Sequence, residues 1–222
     1  MPQSSTILMT EFVTHDVKRF ILTKPRDFDF EPGQGLKIMI DEPKWREDED
    51  HPFTPTSRRD DDVLEFIIKK YPPREGYTNK LHSLDAGAKL LLSDPFGTIV
   101  YKGSGAFLAA GAGVTPFIAI SRQLAQEGRI GSNSLIFSNK TPADIICEKE
   151  LRHYFQSRCI LTCTRESASG YENRRITAEF LKEKIMDFNQ HFYVCGPDSF
   201  VEQIKSILTE LGARPNALVF EE

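Results

Sequence analysis

The feature that most constrains the fold is the stretch at residues 105–127, GAFLAAGAGVTPFIAISRQLAQE. The apolar run at 106–110 has the length of a fully buried strand, and the apolar residues of 115–127 recur at helical spacing. A strand, a glycine turn and a helix in this order bring backbone N–H groups and a helix N-terminus to one point, where a phosphate group binds well. The stretch therefore predicts a phosphate-binding turn between a strand and a helix.

Four residues of this turn suit that use. Gly111 and Gly113 permit a positive φ and a close approach of the backbone to a ligand. Thr115 is the expected N-cap of the helix, and Pro116 suits its first turn. Two glycines alone do not distinguish a nucleotide site from a turn that serves only the fold.

The usual dinucleotide-binding fingerprint is incomplete in this chain. That fingerprint places an acidic residue after the second strand, where its carboxylate holds a ribose hydroxyl. Here the second predicted strand is followed by Ser138, Asn139 and Lys140. The rest of the chain must therefore decide what the turn binds.

The composition is that of a soluble globular protein, with 40% hydrophobic and 27% charged residues in a chain of 222. No apolar run approaches the roughly 20 residues of a membrane span, and the N-terminus lacks a signal pattern, so the cytoplasm is the expected location. The net charge of −4 and the lack of a basic stripe argue against nucleic acid as a partner. None of the four cysteines stands in C-x-x-C spacing, so we expect buried thiols and no metal site.

The first 100 or so residues carry the signals of an antiparallel β domain. Short strand patterns separated by turn residues recur there, with one short helix after Gly76. About six short strands of this kind predict a small antiparallel β-barrel. The predicted strands lie within 7–23, 36–40, 63–70 and 89–93.

The remaining residues alternate between strand and helix, which predicts a doubly wound parallel sheet covered by helices on both faces. The predicted fold is thus β + α/β, with a barrel domain over 1–101 and an α/β domain over 102–222. The predicted strands are 106–110, 134–138, 158–164, 191–195 and 217–220, and the predicted helices are 115–127, 144–156, 177–187 and 198–211.

Four motifs together carry a resemblance to a known family. They are HPFTPTS at 51–57, GYTNKLHSL at 76–84, GAGVTPF at 111–117 and YVCGPDSF at 193–200. In this order and spacing, the chain resembles the ferredoxin–NADP reductase superfamily of flavin-dependent reductases over nearly its whole length. The resemblance implies that the barrel holds a flavin and that the second domain holds NAD(P)H.

On the barrel side, the resemblance implies that Phe53 stacks on the isoalloxazine ring and that Thr54 hydrogen-bonds its edge near N5. His51 replaces the arginine that the family usually sets against the pyrophosphate, and Phe53 replaces a tyrosine. FAD is the expected flavin, with FMN as the alternative, and Lys80, Arg58 or Arg59 would supply the positive charge. The predicted flavin-binding residues are His51, Pro52, Phe53, Thr54, Thr56, Ser57, Gly76, Tyr77, Thr78, Asn79, Lys80 and Phe220.

On the nucleotide side, the resemblance implies that Cys195 lies near the nicotinamide, where it packs and polarises and does not act as a nucleophile. Lys140 and Arg165 suit a 2′-phosphate, Glu166 opposes one, and the pattern favours NADH over NADPH. The predicted coenzyme-binding residues are Gly111, Gly113, Val114, Thr115, Pro116, Asn139, Lys140, Arg165, Cys195, Gly196 and Pro197.

The implied activity is hydride transfer from NAD(P)H to the flavin, followed by electron transfer to a separate acceptor. The expected acceptor is a flavodoxin, a ferredoxin, an oxygenase component or a small molecule, and the protein is expected to be a monomer. Thr54, Cys195 and Glu221 are the predicted catalytic residues, and Phe220 and Glu221 are expected to close over the flavin. Two alternatives stay open: a flavin-binding electron-relay or regulatory subunit of a larger complex without independent turnover, and a two-domain protein that has lost the flavin.

The sequence also contains a candidate docking patch for an acidic acceptor, formed by Lys69, Lys70, Arg74 and Lys80. Such charge runs are also common on solvated faces that bind nothing.

Overall fold

The computed structural model describes residues 2–45, 52–71, 76–97 and 99–220. Two predicted site residues, His51 and Glu221, lie outside the described residues, as does Arg74 of the candidate docking patch.

The N-terminal half of the described chain is built from antiparallel strands. The elements are β1 (Gln3–Thr14), β2 (Val17–Thr23), β3 (Leu36–Ile40), β4 (Pro52–Phe53), β5 (Val63–Lys69), helix α1 (Tyr77–His82) and β6 (Lys89–Leu92). The strands form one sheet in the spatial order β4-β3-β6-β1-β2-β5. In β2, Phe20 and Leu22 are buried at alternate positions, because successive side chains of a strand point to opposite faces.

The segment that follows β4 nearly closes this sheet into a barrel. β4 pairs with β3, and two residues later Pro55 bridges Phe66 of β5. The amide of Thr56 then donates a hydrogen bond to the carbonyl of Glu65 at 2.7 Å. The chain therefore connects the two edge strands of the sheet, and the predicted antiparallel barrel is confirmed.

Helix α1 packs into the core of the barrel. Its residues Tyr77 and Leu81 are buried with Phe20, Leu36 and Phe66 in one hydrophobic cluster. This packing fixes the helix against the strand β3 and the segment that closes the barrel.

The C-terminal half contains a sheet of five parallel strands. The elements are β7 (Gly105–Ala110), α2 (Thr115–Gln126), β8 (Ser134–Asn139), α3 (Glu148–Phe155), β9 (Cys159–Cys163), α4 (Ala178–Lys184), β10 (His191–Cys195), α5 (Asp198–Glu210) and β11 (Leu218–Phe220). The spatial order is β11-β10-β7-β8-β9. Helices α2 and α3 pack on one face of the sheet and α4 and α5 on the other, which confirms the predicted doubly wound arrangement.

Helix α3 begins later than predicted. Pro142–Asp144 forms a separate 3₁₀ turn, which is stabilised by a capping box in which Asp144 accepts hydrogen bonds from the amide and hydroxyl of Thr141. Cys147 then adopts a φ of 52°, and α3 starts at the next residue. A left-handed residue between the two elements prevents one continuous helix.

One hydrophobic core continues from the second sheet into the barrel. The cluster that packs α2 and α3 against the sheet also contains Val17 and Ile67 of the barrel and Ile99 of the connecting segment. Apolar burial therefore joins the two halves as well as stabilising each of them. The predicted domain boundary at residues 101 and 102 falls in the connection between β6 and β7 and stays a prediction.

Tyr193 of β10 anchors that connection. Its buried hydroxyl accepts hydrogen bonds from the amides of Lys102 and Gly103 at 2.9 and 3.0 Å and donates one to the carbonyl of Gly103 at 2.7 Å. Tyr101 stacks on the same ring, with 5.8 Å between the ring centroids. The connecting segment is thus held against the second sheet by one side chain.

None of the helices in the described part of the chain has the length and apolar character that a membrane crossing requires.

We predict that Tyr193→Phe destabilises the protein by about 2–4 kcal/mol, because it leaves two amides and one carbonyl of the connection without their partner. Urea unfolding measures the loss. Tyr171→Phe is the matched control, since it removes only a hydroxyl that contacts Glu148 near the surface, and we expect it to cost less than about 1 kcal/mol. Equal stability of the two variants would contradict the anchoring role.

Candidate active site

The glycine turn lies against the end of a neighbouring strand. Gly111–Val114 forms one 3₁₀ turn after β7. A Cβ atom added to Gly113 would lie 2.5 Å from the carbonyl of Cys195 and 2.5 Å from the amide of Gly196, so only glycine fits there. Because both turns follow parallel strands, they meet at the carboxyl edge of the sheet, where α/β proteins bind ligands.

Gly111 has a different surrounding from Gly113. Its φ is +55°, and a Cβ atom there would meet nothing within 4 Å. The turn is thus open toward solvent at Gly111 and closed toward β10 at Gly113. The open side is where a ligand can approach the backbone.

The start of α2 differs in one detail from the sequence prediction. Thr115 is the first helical residue and not the N-cap, because its hydroxyl donates to the carbonyl of Ala112 at 3.0 Å. Pro116 lies in the first turn, as predicted.

Two cavities meet at this turn. The first, of about 180 Å³, lies between the barrel and the turn and is lined by Pro52, Phe53, Thr54, Ile67, Ile68, Lys69, Tyr71, Ala112, Gly113, Thr115, Pro116 and Cys195. The second, of about 260 Å³, lies over the carboxyl edge of the sheet and is lined by Lys69, Tyr71, Ala110, Gly111, Ala112, Ser138, Asn139, Lys140, Asp144, Thr164 and Pro197. The two cavities share Lys69, Tyr71 and Ala112, and together we call them the interdomain cleft.

The cleft brings together two of the three predicted catalytic residues. Thr54 reaches the first cavity from the barrel, and Cys195 reaches it from the end of β10. Cys195 is only 6% exposed, which fits a packing role. The roles of both residues stay predictions, and Glu221 lies outside the described residues.

Phe53 presents an aromatic ring to the first cavity. It stacks on Tyr77 of α1, with 6.4 Å between the ring centroids and 29° between the planes. Tyr77 is buried, and its hydroxyl donates to the carbonyl of Ile38 in β3. The barrel therefore fixes the plane of Phe53 through its neighbour.

Thr78 and Asn79 hold another residue of the cleft in place. The hydroxyl of Thr78 accepts a hydrogen bond from the amide of Tyr71 at 3.0 Å, and the side-chain amide of Asn79 donates to the carbonyl of Tyr71 at 2.7 Å. The carbonyl of Gly76 accepts the amides of Asn79 and Lys80. The structure thus shows α1 binding the Tyr71 backbone, and the predicted contact of its residues with a cofactor stays a prediction.

Lys69 carries a positive charge into both cavities. Its ammonium lies 3.0 Å from Asp16, and its side chain is only 16% exposed. Partial burial alone would raise the pKa of Asp16, but the hydrogen bond and charge of Lys69 outweigh it and lower that pKa. The pKa of Tyr71 is raised by burial and by the charges of Asp16 and Cys195, so its phenol stays protonated at neutral pH.

Sequence reasoning placed the positive charge of the flavin site elsewhere. Lys80 pairs with Glu42 at 2.8 Å, Arg58 pairs with Asp61 at 2.7 Å, and Arg59 pairs with Asp29. None of these three cations is among the described residues that line the cleft. Lys69 and Tyr71 line both cavities but were not among the predicted site residues. Their position, at the end of a buried strand and shortly before the Gly76 motif, could have indicated them.

Thr56 and Ser57 are buried away from the cleft. The hydroxyl of Thr56 donates to the carboxylate of Glu65 at 2.7 Å, and the hydroxyl of Ser57 accepts the amide of Glu65 at 3.0 Å. Both residues are less than 4% exposed. The structure therefore gives them a role in closing the barrel, and their predicted contact with the flavin stays a prediction.

Phe220 also lies away from the cleft. It belongs to the edge strand β11, where it pairs with Val194, and its ring packs with the cluster on the α4 and α5 face. The ammonium of Lys205 on α5 lies 4.2 Å from its ring centroid. Phe220 is not among the described residues that line the cleft, and its predicted position over the flavin stays a prediction.

Asn139 is the most informative polar residue of the second cavity. It is 6% exposed, and within the part of the chain that the structure describes neither atom of its side-chain amide has a hydrogen-bond partner. Buried polar groups are nearly always paired, so this amide fits a ligand that both donates and accepts. Lys140 and Arg165 are exposed beside it, linked by a hydrogen bond from the Arg165 amide to the Lys140 carbonyl at 2.8 Å.

The remaining predicted coenzyme residues shape the turns. Val114 is fully buried in the core under α2 and does not line the cleft. Gly196 packs against Phe200 and Ala110, and Pro197 reaches the second cavity at the start of α5.

Comparison with known protein families identifies the class. The family model described as "FAD-binding domain" matches residues 4–98, and the model described as "Oxidoreductase NAD-binding domain" matches residues 107–206. The two models together match nearly the whole chain, in the order that the barrel and the parallel sheet define. The chain therefore consists of an FAD-binding domain of the first family, followed by an NAD-binding domain of the second.

Individual relatives are distant. The chain is 27% identical to a nitrate reductase [NADPH] from Leptosphaeria maculans, over 85% of this chain and 24% of that protein. It is 26% identical to the ferredoxin–NAD(P)(+) reductase component of the naphthalene 1,2-dioxygenase system of Pseudomonas putida, over 95% of this chain and 65% of that protein. The chain thus spans a quarter of the first relative and about two thirds of the second.

A solved structure agrees with the fold over the full chain. A ferredoxin NADP⁺ reductase from Neisseria gonorrhoeae with bound FAD and NADP superposes with a TM-score of 0.83 at 22% identity, covering 99% of this chain and 98% of that one. With the two family models, this shows that the chain belongs to the ferredoxin–NADP reductase superfamily.

We predict that Gly113→Ala weakens coenzyme binding at least tenfold, because its new methyl group displaces the turn from the end of β10. Titration of the protein with NADH and NADPH measures the dissociation constants. The control is Gly128→Ala in the turn after α2, where φ is also positive and no neighbour lies within 4 Å. We expect it to lose about 1 kcal/mol of stability and to keep its coenzyme affinity. Unchanged binding by Gly113→Ala would contradict the close approach as a requirement.

Proposed function

We propose that this chain is an NAD(P)H-dependent flavoprotein reductase that delivers electrons to a separate acceptor. The observation that supports this most directly is the interdomain cleft, in which the two cavities share Lys69, Tyr71 and Ala112. A ligand of the barrel and a ligand of the parallel sheet would therefore meet in one continuous space.

The residues of the first cavity fit a flavin. Phe53 supplies an aromatic face that Tyr77 supports from behind, Thr54 supplies a hydroxyl and an amide, and Lys69 supplies positive charge. When bound, FAD would accept a hydride from NAD(P)H and release the electrons one at a time. The protein's part is to align the two ligands and to exclude water between them.

The residues of the second cavity fit a pyridine nucleotide. The open side of the turn at Gly111 suits a pyrophosphate, and the unpaired amide of Asn139 suits a group with both donors and acceptors. Cys195 packs at the end nearer the barrel, where the nicotinamide would meet the flavin. Hydride transfer needs no acid–base pair.

For coenzyme preference we propose NADH. Lys140 and Arg165 are exposed at the rim of the second cavity and would attract a 2′-phosphate, but Glu166 adjoins Arg165 and would repel it. Steady-state kinetics with both coenzymes test this preference. A tenfold or greater advantage of NADPH in kcat/KM would overturn it.

The acceptor is proposed to be an electron-carrier protein, an oxygenase component or a small molecule. Relatives named as reductase components of a naphthalene dioxygenase and a propane monooxygenase system, and as cytochrome b5 reductases, support this range. Lys69 and Lys80 of the candidate docking patch are engaged with Asp16 and Glu42, which weakens the case for that patch. A cytoplasmic monomer is the proposed state.

Reduction of an artificial dye by the FAD-loaded protein tests the function. We expect NADH-dependent reduction without any partner protein. Binding of flavin and coenzyme without dye reduction would favour the relay or regulatory subunit, and a protein that binds no flavin would favour a lost cofactor site.

We predict that Lys69→Gln lowers kcat/KM for dye reduction about tenfold, because it removes a partly buried positive charge from the cleft and leaves Asp16 without its partner. Lys149→Gln, on the exposed side of α3, is the control and should keep the full rate. Equal rates for the two variants would exclude Lys69 from the site.

A further inference from the structure

Arg122 connects the two domains behind the cleft. It lies in α2, seven residues after Thr115, or about 10 Å along the helix axis from the residues that line the first cavity. Its side chain is only 16% exposed. Within the described residues it is the arginine whose hydrogen bonds reach both the barrel and a second helix of the α/β domain.

Four hydrogen bonds fix the guanidinium. Toward the barrel, Nη1 donates to the carboxylate of Glu65 at 2.6 Å and to the carbonyl of Thr56 at 2.8 Å. Toward α3, Nε and Nη2 donate to the two carboxylate oxygens of Glu150 at 2.6 and 2.9 Å. A planar guanidinium that donates to carboxylates on two sides holds both carboxylates in fixed directions. A lysine ammonium has no planar fork and would not impose this arrangement.

The two carboxylates that bind Arg122 each have further partners. Glu65 accepts the hydroxyl of Thr56 on the same oxygen, and its other oxygen lies 3.4 Å from Nε of Arg19. The hydroxyl of Tyr154 donates to Glu150 at 3.2 Å. Arg122 is thus the centre of an alternating chain of charges, Arg19–Glu65–Arg122–Glu150, that crosses from the barrel to the second domain.

The protonation states support this geometry. Burial lowers the pKa of Arg122, but the hydrogen bonds and charges of Glu150 and Glu65 raise it above its ordinary value. Burial alone would raise the pKa of Glu150, but the hydrogen bonds and charge of Arg122 outweigh burial and lower that pKa below its ordinary value. The carboxylate therefore stays ionised at neutral pH. Arg122 and Glu150 therefore keep opposite charges at neutral pH.

The partners of Arg122 belong to the elements that build the cleft. Glu65 is on β5, whose last residue is Lys69, and Thr56 follows Thr54 by two residues. Arg122 is on the helix whose first turn supplies Thr115 and Pro116. A rotation of one domain against the other would have to break the bonds of Arg122 before the walls of the cleft could separate.

We propose that Arg122 is a positioning residue, which sets the distance between the flavin wall and the coenzyme wall of the cleft without touching either ligand. This inference rests on the proposed function for its catalytic consequence, but its structural part does not. Removing Arg122 alone would leave the carboxylates of Glu65 and Glu150 without their shared cation, which costs stability, so a geometric role has to be tested by a distance as well as by a rate. Because misplacement of about 1 Å can cost a hundredfold in rate, a small change in geometry is enough to affect turnover.

The test combines a distance measurement with kinetics on the full-length FAD-loaded protein. Spin labels are attached at Asp85→Cys on the barrel and Met186→Cys on the second domain, both exposed positions outside the cleft. In Arg122→Met we expect the distance distribution between the labels to become at least twice as wide. We expect kcat to fall 10- to 100-fold while the coenzyme dissociation constant changes less than threefold.

Two further variants make the result specific. Arg129→Met removes an exposed ion pair with Glu127 inside one domain and should change neither the distances nor kcat. Arg122→Lys keeps the charge without the planar fork and should give an intermediate kcat and distance width. If Arg122→Met does not fold, Glu65→Gln weakens the same bridge and should widen the distances in the same direction.

Distances in Arg122→Met that match those of Arg129→Met would overturn the proposal. A wild-type protein that shows no dye reduction would refute the proposed function instead, and the distance measurement would still decide the role of Arg122.

Discussion

The placement of helix α2 against the barrel is the constraint on which the rest of the structure depends. Its apolar face joins the core of the parallel sheet, and the same core takes in Val17 and Ile67 of the barrel. Its polar face carries Arg122 to Glu65 and Thr56. Apolar contact supplies the attraction and the charged bridge supplies the orientation, so the first turn of the helix always faces the same edge of the barrel.

The cleft is a consequence of this placement. The barrel is closed by a short segment rich in proline, which leaves Phe53 and Thr54 at the seam between two edge strands. The strands of the parallel sheet end at the same point. There Gly113, which has no Cβ, lets its turn pack directly against the backbone of Cys195 and Gly196. Residues of both domains line each cavity, and Lys69 and Tyr71 line both cavities, so neither domain forms the cleft alone.

Much of this architecture was predictable from local patterns. The alternation of strands and helices after residue 102 determined the parallel sheet, and the strand spacing before it determined the barrel. The glycine turn was located correctly because an apolar run of strand length, two glycines and an apolar pattern of helical spacing follow one another in the sequence. Cys195 and Thr54 were chosen by family resemblance, and the structure brings both to one cavity.

The side-chain contacts that were not predicted share a physical reason, which is that they depend on residues distant in the sequence. Glu65 from the neighbouring strand accepts the hydroxyl of Thr56 and donates its amide to the hydroxyl of Ser57. The prediction of Thr115 as a cap was wrong, because the helix begins at this residue and its hydroxyl donates to the 3₁₀ turn before it. The ring of Phe220 packs on the α4 and α5 face, which the pattern of a short edge strand does not reveal.

We propose that a flavin and a pyridine nucleotide meet within one cleft in productive alignment. The most direct measurement is a single-turnover experiment without oxygen, in which excess NADH is mixed rapidly with FAD-loaded protein and the flavin absorbance is followed. We expect complete loss of the oxidised flavin absorbance in one exponential phase, slowed severalfold when the transferred hydrogen of the coenzyme is deuterium. A flavin that stays oxidised in the presence of bound NADH, and likewise with bound NADPH, would contradict this alignment.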